Sequence, residues 1–306
     1  MTLSLGKILF SGASGMIGAA LVRAADAERI EAVQLIRREP ANPGEIQWDP
    51  QSDQPVRDLT SLEGMDAAIH LSGANLSSRR WTPAYKREIR DSRIASTRAL
   101  VKVLKALKRP PEALLCASAT GIYGDRGNEI LTEESEPGQG FIADTCRAWE
   151  AEAAVVADAG IRVVYLRFGV VLTAEGGALQ RMLPIFRLGL GGRLGNGKQW
   201  VGWIAVGDLV RAVFHVLNSS IFRGPVNFVA PNPVTNAEFT HALGHTLHRP
   251  TIIPAPAVAL RVALGEIADE ALLASTRAVP DRLLSSGFIF ELPHVASAFN
   301  VILSNL

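Results

Sequence analysis

The sequence predicts an α/β protein built on a doubly wound parallel sheet, with a small, mostly helical C-terminal lobe. Three observations lead to this fold class. Short apolar segments alternate with helical patterns through the first half, a glycine triplet follows the first apolar segment, and from Gly176 the chain becomes glycine-rich and then breaks into short helical segments. Alternation of strands and helices is typical of a parallel sheet with helices on both faces. We expect a first domain over 1–230, whose later part carries substrate-side segments, and a lobe over 231–306.

The elements of the first half are predicted by their apolar content and by signals at helix ends. Segments rich in Val, Ile and Leu indicate buried strands, and longer periodic segments indicate helices. The predicted strands cover 7–12, 32–37, 66–73, 112–118 and 161–169. The predicted helices cover 15–26, 82–107 and 141–159, and in the second of these the only proline stands in the first turn, where a helix tolerates it.

The overall composition argues against several classes of partner. The chain of 306 residues has a net charge of +1, so we expect no strong electrostatic attraction to nucleic acid or to an anionic membrane. Its apolar runs are far shorter than a membrane span, and the first residues enter a strand pattern at once, so we expect neither a membrane segment nor a signal peptide. The two cysteines, Cys116 and Cys146, have no metal-binding or redox spacing, which favours a reducing, cytoplasmic setting.

The segment SGASGMIG places three glycines at three-residue spacing, after a strand and before a helix. Glycine permits a sharp turn and the close approach of a pyrophosphate, and the helix N-terminus offers unpaired N–H groups. We therefore predict a Rossmann dinucleotide site here, with a plain structural turn as the alternative. The residues of this predicted site are Gly12, Ser14, Gly15, Met16, Ile17 and Gly18.

The end of the second predicted strand carries the residues that distinguish NAD from NADP. An NAD site usually has Asp or Glu here to bind the ribose 2′-hydroxyl, whereas this strand ends in Arg37 and Arg38. A guanidinium binds a 2′-phosphate with two parallel hydrogen bonds. The separation of Arg37 from Gly18 is close to the roughly 20 residues expected. We therefore predict NADP as the cofactor, and two solvated surface arginines are the alternative.

These features together resemble the short-chain dehydrogenase/reductase superfamily, on its extended side of sugar-nucleotide epimerases and dehydratases. The segments DAAIHLSGA, ASATGIYG and WIAVGDLVRAV are similar to motifs of that group. The segments IQWDP, CRAWEAEA, RFGVVLTAEGGAL and NPVTNAEFTHALGHTLHRP resemble an atypical subgroup, called epimerase family protein, that adds a C-terminal domain of unknown function. The resemblance covers essentially the whole chain. It implies that Leu71, Ser72 and Gly73, at the end of the third predicted strand, also contact the cofactor.

The resemblance also implies a catalytic unit of Ser, Tyr and Lys, in which Lys holds the nicotinamide ribose and Tyr moves a proton. Ser118 matches the serine. When the helix is aligned on Glu150, Ile142 stands at the tyrosine position and Cys146 at the lysine position. The candidate catalytic residues are therefore Ser118 and Tyr123. Packing is the alternative role for Tyr123, and Cys146 has the alternatives of a nucleophilic thiol and a small buried residue.

Two further clusters allow more than one interpretation. The histidines of HALGHTLH share a helix face, which would either bind a metal or remain solvated; we expect no metal. Arg193, Lys198 and Gln199 lie, by the resemblance, over the substrate pocket, where they would hold an anionic or nucleotide-linked small molecule.

The sequence leaves two functions open. The first is an NADP(H)-dependent atypical reductase or epimerase-like enzyme of unknown substrate, which the retained Ser118 and a full-length substrate lobe favour. The second is a non-catalytic NADP(H)-binding sensor or regulator, which the missing Tyr and Lys favour.

Overall fold

The computed structural model describes residues 5–304 and arranges them in one large sheet, three two-stranded ladders and nine α-helices. The strands are β1 (Lys7–Ser11), β2 (Glu31–Ile36), β3 (Glu45–Gln47), β4 (Ala67–His70), β5 (Ala113–Ala119), β6 (Ile130–Leu131), β7 (Arg162–Phe168), β8 (Val170–Leu172), β9 (Trp200–Val201), β10 (Trp203–Ala205), β11 (Gly224–Phe228), β12 (Val234–Thr235) and β13 (Arg277–Ala278). The helices are α1 (Met16–Ala27), α2 (Pro83–Ala106), α3 (Phe141–Ala154), α4 (Gly177–Arg187), α5 (Val206–Leu217), α6 (Asn236–Thr246), α7 (Ala257–Leu264), α8 (Asp281–Ser285) and α9 (Val295–Leu303). Within this described part of the chain, no helix has the length and apolar character needed to cross a membrane.

The large sheet has seven parallel strands in the order β3-β2-β1-β4-β5-β7-β11. The chain leaves β1 toward β2 and β3 and then crosses to β4 on the other side, so a crevice opens between β1 and β4 at their carboxyl ends. Ser11, the last residue of β1, pairs with Leu35 and with His70, which brings three strand ends to one edge. The predicted doubly wound Rossmann fold is confirmed, and the glycine turn lies at the point where the strand order reverses.

Helices cover both faces of this sheet, and each face has its own hydrophobic core. On one face α1 and α5 contribute Leu21 and Val213, both fully buried. On the other face α2 and α3 contribute Leu104 and Trp149. Because both faces are covered, the central strands are largely apolar rather than alternating, and their charged and serine residues stand at or next to the strand ends, which is why they were predictable as buried strands.

The C-terminal lobe is mostly helical, as predicted. Phe239 of α6 and Phe299 of α9 pack edge to face with their ring centroids 5.0 Å apart. Leu183 of α4 and the fully buried Trp203 of β10 belong to the same cluster. The lobe therefore shares a core with residues that precede 230, and a division of the chain at that position stays a prediction.

The two helices beside the crevice have boundaries that local sequence explains. α2 begins after Thr82, whose hydroxyl accepts a hydrogen bond from the N–H of Tyr85 at 3.1 Å, and Pro83 opens the first turn. α3 ends at Ala154, earlier than predicted. Val155–Ala159 form a 3₁₀ turn instead, and this tighter winding leads the chain into β7.

Candidate functional site

The turn between β1 and α1 has two positions that only glycine can occupy. Gly12 has φ +79°, and a Cβ there would lie 2.7 Å from the carbonyl carbon of Leu71. At Gly18 a Cβ would lie 2.3 Å from the carbonyl oxygen of Gly12, so the missing side chain lets α1 pack directly on the turn. Both glycines are therefore required by the fold itself.

Gly15, between these two, is not required by contacts within the protein. Its φ is −74°, and a Cβ there would lie 3.4 Å from the carbonyl oxygen of Gly12, an ordinary contact distance. Gly15 is the N-cap of α1, which has no side-chain cap and no acidic residue in its first turn. The first N–H groups of the helix, including those of Met16 and Ile17, lack intrahelical partners and attract an anion. The turn therefore fits a pyrophosphate, with Gly15 leaving space for a ligand.

A cavity of about 440 Å³ opens from this turn along the carboxyl edge of the sheet. It brings together most of the residues predicted to bind the cofactor or to form the catalytic unit. Those that line it are Gly12, Gly15, Met16, Ile17, Gly18, Leu71, Gly73, Ser118, Ile142 and Cys146. Five of the predicted cofactor-binding and catalytic residues do not line it: Ser14, Arg37, Arg38, Ser72 and Tyr123. The cofactor contacts predicted for residues of both groups stay predictions, and so do the catalytic roles predicted for Ser118 and Tyr123.

The two arginines after β2 have different surroundings. The guanidinium of Arg38 donates from Nη2 and Nη1 to the two carboxylate oxygens of Glu45 on β3, at 2.6 and 2.9 Å. Arg38, with the N–H groups of Ala41 and Asn42, lowers the pKa of Glu45 to about 2. Arg37 is exposed and forms no ion pair within residues 5–304. Arg37 is therefore the more available of the two for an incoming phosphate.

A buried histidine ties the strand ends together beneath the turn. The ring of His70 lies with Nδ1 2.5 Å from Oγ of Ser11 and with Nε2 2.9 Å from Oγ1 of Thr97 on α2. Burial lowers the pKa of His70 to about 3, so the ring is neutral at physiological pH. Ser72 donates to the same Ser11 hydroxyl at 3.2 Å. Ser72, which was predicted to contact the cofactor, is part of this supporting network.

Ser118 is held by a buried ion pair at the side of the cavity. Its hydroxyl donates to Oε1 of Glu150 at 2.6 Å, and Arg167 donates to both oxygens of the same carboxylate at 2.9 Å each. The side chains of Glu150 and Arg167 are only 11% and 6% exposed. Because the single hydroxyl proton of Ser118 is engaged, its remaining capacity toward a ligand is that of an acceptor.

Tyr123 belongs to the same network but lies away from the cavity. It is fully buried, its hydroxyl donates to Oδ1 of Asn227 at 2.7 Å, and it accepts from Nη1 of Arg167 at 3.0 Å. Burial raises the pKa of Tyr123 above its ordinary value. This placement supports the packing role that the sequence left open, and it gives the predicted catalytic role no contact with the cavity.

Ile142 and Cys146 face the cavity from the first turns of α3. Ile142 packs on the turn after β5, where a Cβ at Gly121 would lie 2.5 Å from Cγ2 of the isoleucine. Burial raises the pKa of Cys146 to about 11, so the thiol is protonated at neutral pH. These two positions therefore offer neither a phenolic proton nor a thiolate.

A second cavity, of about 620 Å³, adjoins the first and shares the Phe141 ring with it. Three cationic side chains of α2 line it: Lys86, Arg87 and Arg90. Two carboxylates also line it, Asp144 and Glu266, and Lys86 donates to Glu266 at 2.6 Å, while Arg87 and Arg90 are exposed and form no ion pair within the described residues. The arrangement suits an anionic group bound next to the first cavity.

The residues predicted to hold such a group lie elsewhere. Gln199 is buried, and its amide donates to the carbonyl oxygens of Leu194 and Leu272 at 3.1 and 3.0 Å. Arg193 and Lys198 are exposed and line neither cavity. The cations beside the site come instead from the start of α2, a segment that the sequence analysis treated only as a helix.

The histidines of α6 lie outside both cavities. The rings of His241 and His245 stack with their centroids 6.4 Å apart. Residues 5–304 contain no group of three or more His, Cys, Asp or Glu side chains placed to hold a metal ion.

Arg93 of α2 also lines the first cavity, and it was not among the residues predicted from the sequence. The residues one turn before and one turn after it, Ile89 and Thr97, are both fully buried. A guanidinium between two buried positions at this spacing lies on the inward stripe of the helix. The burial of these two positions depends on the fold, so the sequence alone did not reveal the role of Arg93.

Comparison with known proteins finds relatives over nearly the whole chain. Residues 8–227 match the model of the NAD dependent epimerase/dehydratase family, and residues 255–302 match a domain of unknown function (DUF1731). The chain is 42% identical over 284 residues to Epimerase family protein MT2273 of Mycobacterium tuberculosis, covering 93% of each. It is 34% identical over 301 residues to human Epimerase family protein SDR39U1, covering 97% of this chain and 100% of the human one.

Solved structures lead to the same family. The crystal structure of human epimerase family protein SDR39U1 (isoform2) with NADPH matches with a TM-score of 0.90 at 33% identity, covering 98% of this chain and 100% of that one. A nucleoside-diphosphate sugar epimerase from Corynebacterium glutamicum matches with a TM-score of 0.80 at 34% identity, covering 99% of this chain and 59% of that one. The resemblance drawn from the sequence motifs is confirmed. The chain belongs to the NAD-dependent epimerase/dehydratase family, with an NAD(P)-binding Rossmann fold of the short-chain dehydrogenase/reductase type and a C-terminal DUF1731 domain.

Proposed function

We propose that the protein binds NADPH and acts as an atypical reductase or epimerase-like enzyme on an anionic small molecule. The observation that carries this proposal is the N-terminus of α1, which has no side-chain cap and lies at the first cavity. Gly15 stands there although contacts within the protein do not require a glycine, so the space beside it is open to a ligand. NADPH, when bound, supplies a hydride donor. The human relative was crystallised with NADPH, which supports the same cofactor for this chain.

The second cavity supports the anionic character of the substrate. Lys86, Arg87 and Arg90 stand on one helix face, next to the rings of Trp81 and Phe141. Guanidinium and ammonium groups bind phosphate oxygens, and aromatic rings pack against a sugar or base. A nucleotide-linked substrate would use both features, and the Corynebacterium relative is named as a nucleoside-diphosphate sugar epimerase.

The choice of NADPH over NADH is tested at the end of β2. We expect Arg37→Ala to weaken NADPH binding roughly 10- to 100-fold, because a charge-assisted contact contributes about 1.5–3 kcal/mol, and to leave NADH binding nearly unchanged. Titration calorimetry with both cofactors measures this. Arg38→Ala is the matched control with a smaller expected effect, since Glu45 already holds that guanidinium. Equal losses for the two cofactors, or tighter NADH binding by the wild type, would contradict the assignment.

A second candidate function is supported by the α3 wall of the first cavity. Ile142 has no proton to transfer, Cys146 is a buried neutral thiol, and the proton of Ser118 is directed to Glu150. A protein with this wall would bind NADPH and report its level without using it. The alternative to an enzyme is therefore a non-catalytic NADP(H) sensor or regulator.

Turnover measurements separate the two candidates. We expect NADPH oxidation with sugar nucleotides, aldehydes and ketones to be about 10²- to 10⁴-fold slower than in an enzyme that retains the tyrosine, because no general acid stands at the Ile142 position. Cys146→Ala should keep the NADPH affinity of the wild type. The screen is steady-state NADPH oxidation by the wild type, by Cys146→Ala and by Ser118→Ala.

Each outcome of this screen has a clear meaning. Turnover lost only in Ser118→Ala supports the enzyme, with a hydroxyl acceptor at its centre. Fast turnover lost in Cys146→Ala would overturn the neutral-thiol interpretation. NADPH binding with no turnover of any compound supports the sensor.

A further inference from the structure

The wall of the first cavity contains a guanidinium without a carboxylate partner. Arg93 of α2 is half-buried, and its Nη1 donates to the carbonyl oxygens of Ala74 and Ile89 at 3.0 and 2.9 Å. Its Cζ lies 5.1 Å from the ring centroid of Trp149. Within residues 5–304 no Asp or Glu side chain pairs with it, and Nε and Nη2 donate to no protein atom. The side chain is thus held firmly in place with part of its donor capacity unused.

The half-buried guanidinium of Arg93 needs hydrogen-bond acceptors or a counter-charge in place of the water that it loses. Removal of a charge from water is costly unless the charge is paired, and an arginine does not escape this cost by losing its proton. Burial lowers the pKa of Arg93 from its ordinary value, which is the direction expected of a charge without a full counterpart. Because the guanidinium faces a cavity, a ligand with exposed lone pairs would supply the missing acceptors.

The residues around the guanidinium leave room for it and for a ligand. At Gly73 a Cβ would lie 3.1 Å from Cζ of Arg93, so a larger residue there would displace the guanidinium. On α3 the neighbour is Cys146, whose thiol pKa burial and Glu150 raise and the Arg93 charge lowers. Gly73, Arg93 and Cys146 all line the same cavity. The guanidinium is therefore presented between the loop after β4 and the first turns of α3.

The strand order indicates which part of a dinucleotide reaches this point. β2, which leads to Arg37, lies on one side of β1, and β4, which leads to Gly73, lies on the other. With its pyrophosphate on the N-terminus of α1, a dinucleotide places its adenosine half over β2. Its nicotinamide half then extends over β4 and β5, toward Arg93 and Ser118. The acceptors on that half, next to the pyrophosphate, are the ribose hydroxyls.

We propose that Arg93 binds the hydroxyl oxygens of the nicotinamide ribose of NADPH. The positive charge at this point of the site would then come from α2, since Cys146 on α3 carries none. The proposal rests on the proposed function, because it requires NADPH in the first cavity. Arg93 in this role is a binding residue, and it brings no proton relay with it.

The test compares two ligands that differ in the nicotinamide half. NADPH contains the ribose in question, whereas adenosine 2′-phosphate 5′-diphosphate lacks it and keeps the 2′-phosphate and both phosphates of the pyrophosphate. We expect Arg93→Met to weaken NADPH binding about 10-fold or more and to leave the affinity for the 5′-diphosphate within about twofold. Arg93→Lys, which keeps the charge but not the planar donor array, should fall between Arg93→Met and the wild type. Arg98→Met removes an exposed guanidinium from the same helix and should change neither affinity.

The outcomes distinguish failure of the Arg93–ribose contact from failure of the NADPH assignment on which it rests. Equal losses of NADPH and 5′-diphosphate binding in Arg93→Met and Arg93→Lys would show that Arg93 supports the site or its phosphates, and would overturn the ribose contact. Unchanged NADPH affinity in Arg93→Met would overturn it too. A wild-type protein that binds neither ligand would refute the NADPH assignment itself.

Discussion

Gly15→Val should abolish most NADPH binding and leave the protein folded. The backbone angles at Gly15 are those of an ordinary extended residue, and the added Cβ meets only a normal contact within the protein. The new side chain would, however, fill the space in front of the first N–H groups of α1. Loss of two charge-assisted contacts, each worth about 1.5–3 kcal/mol, corresponds to at least about a 100-fold loss of affinity. Titration calorimetry and a thermal unfolding curve measure the two parts of this expectation.

Two other glycines serve as controls for this result. Gly207 is exposed in the first turn of α5 and has no atom within 4 Å of an added Cβ, so Gly207→Val should keep both stability and NADPH affinity. Gly18→Val should instead destabilise the fold, because its Cβ would lie 2.3 Å from a backbone oxygen. A folded Gly15→Val protein that binds NADPH like the wild type would place the pyrophosphate site elsewhere.

Glu150→Ala should lower the free energy of unfolding by about 3–5 kcal/mol, the usual consequence of removing one member of a buried ion pair. The substitution leaves the guanidinium of Arg167 buried without its carboxylate, and it removes the acceptor of the Ser118 hydroxyl. Urea unfolding followed by circular dichroism measures the change.

The same helix provides a matched control for the effect of burial. Glu152 pairs with Arg98 through the same atoms and at the same 2.9 Å as Glu150 does with Arg167, but Arg98 is 67% exposed. An exposed pair contributes about 0–1 kcal/mol, so Glu152→Ala should be nearly neutral. Similar losses from both substitutions would show that burial does not set the strength of these pairs.

The sequence predicted those features that depend on neighbouring residues. The turn at Gly12 and the start of α2 at Thr82 follow from local rules about glycine conformation and helix capping, and both lie where they were expected. The central strands were predictable because burial on both faces makes them largely apolar. The apolar character of Ile142 and Cys146 was also visible, since the resemblance fixed their positions on α3.

Features that depend on distant parts of the chain were not predictable. The partner of Arg38 is Glu45, on a strand of three residues that is too short for a hydrophobic pattern to reveal. The role of Tyr123 depends on Arg167 and Asn227, which only the sheet brings beside it. In the sequence Arg93 is one of many charged residues of a long helix, and only the fold shows that its side of the helix faces the cavity.

The packing of Ile142 on Gly121 limits which side chains can occupy this position of α3. Ile142→Tyr would force a ring into a place where the isoleucine already touches the turn after β5. Cys146→Lys would set an ammonium beside the guanidinium of Arg93, and like charges repel strongly where water is scarce. A tyrosine–lysine pair at these two positions would therefore require compensating substitutions around Gly121 and Arg93 as well.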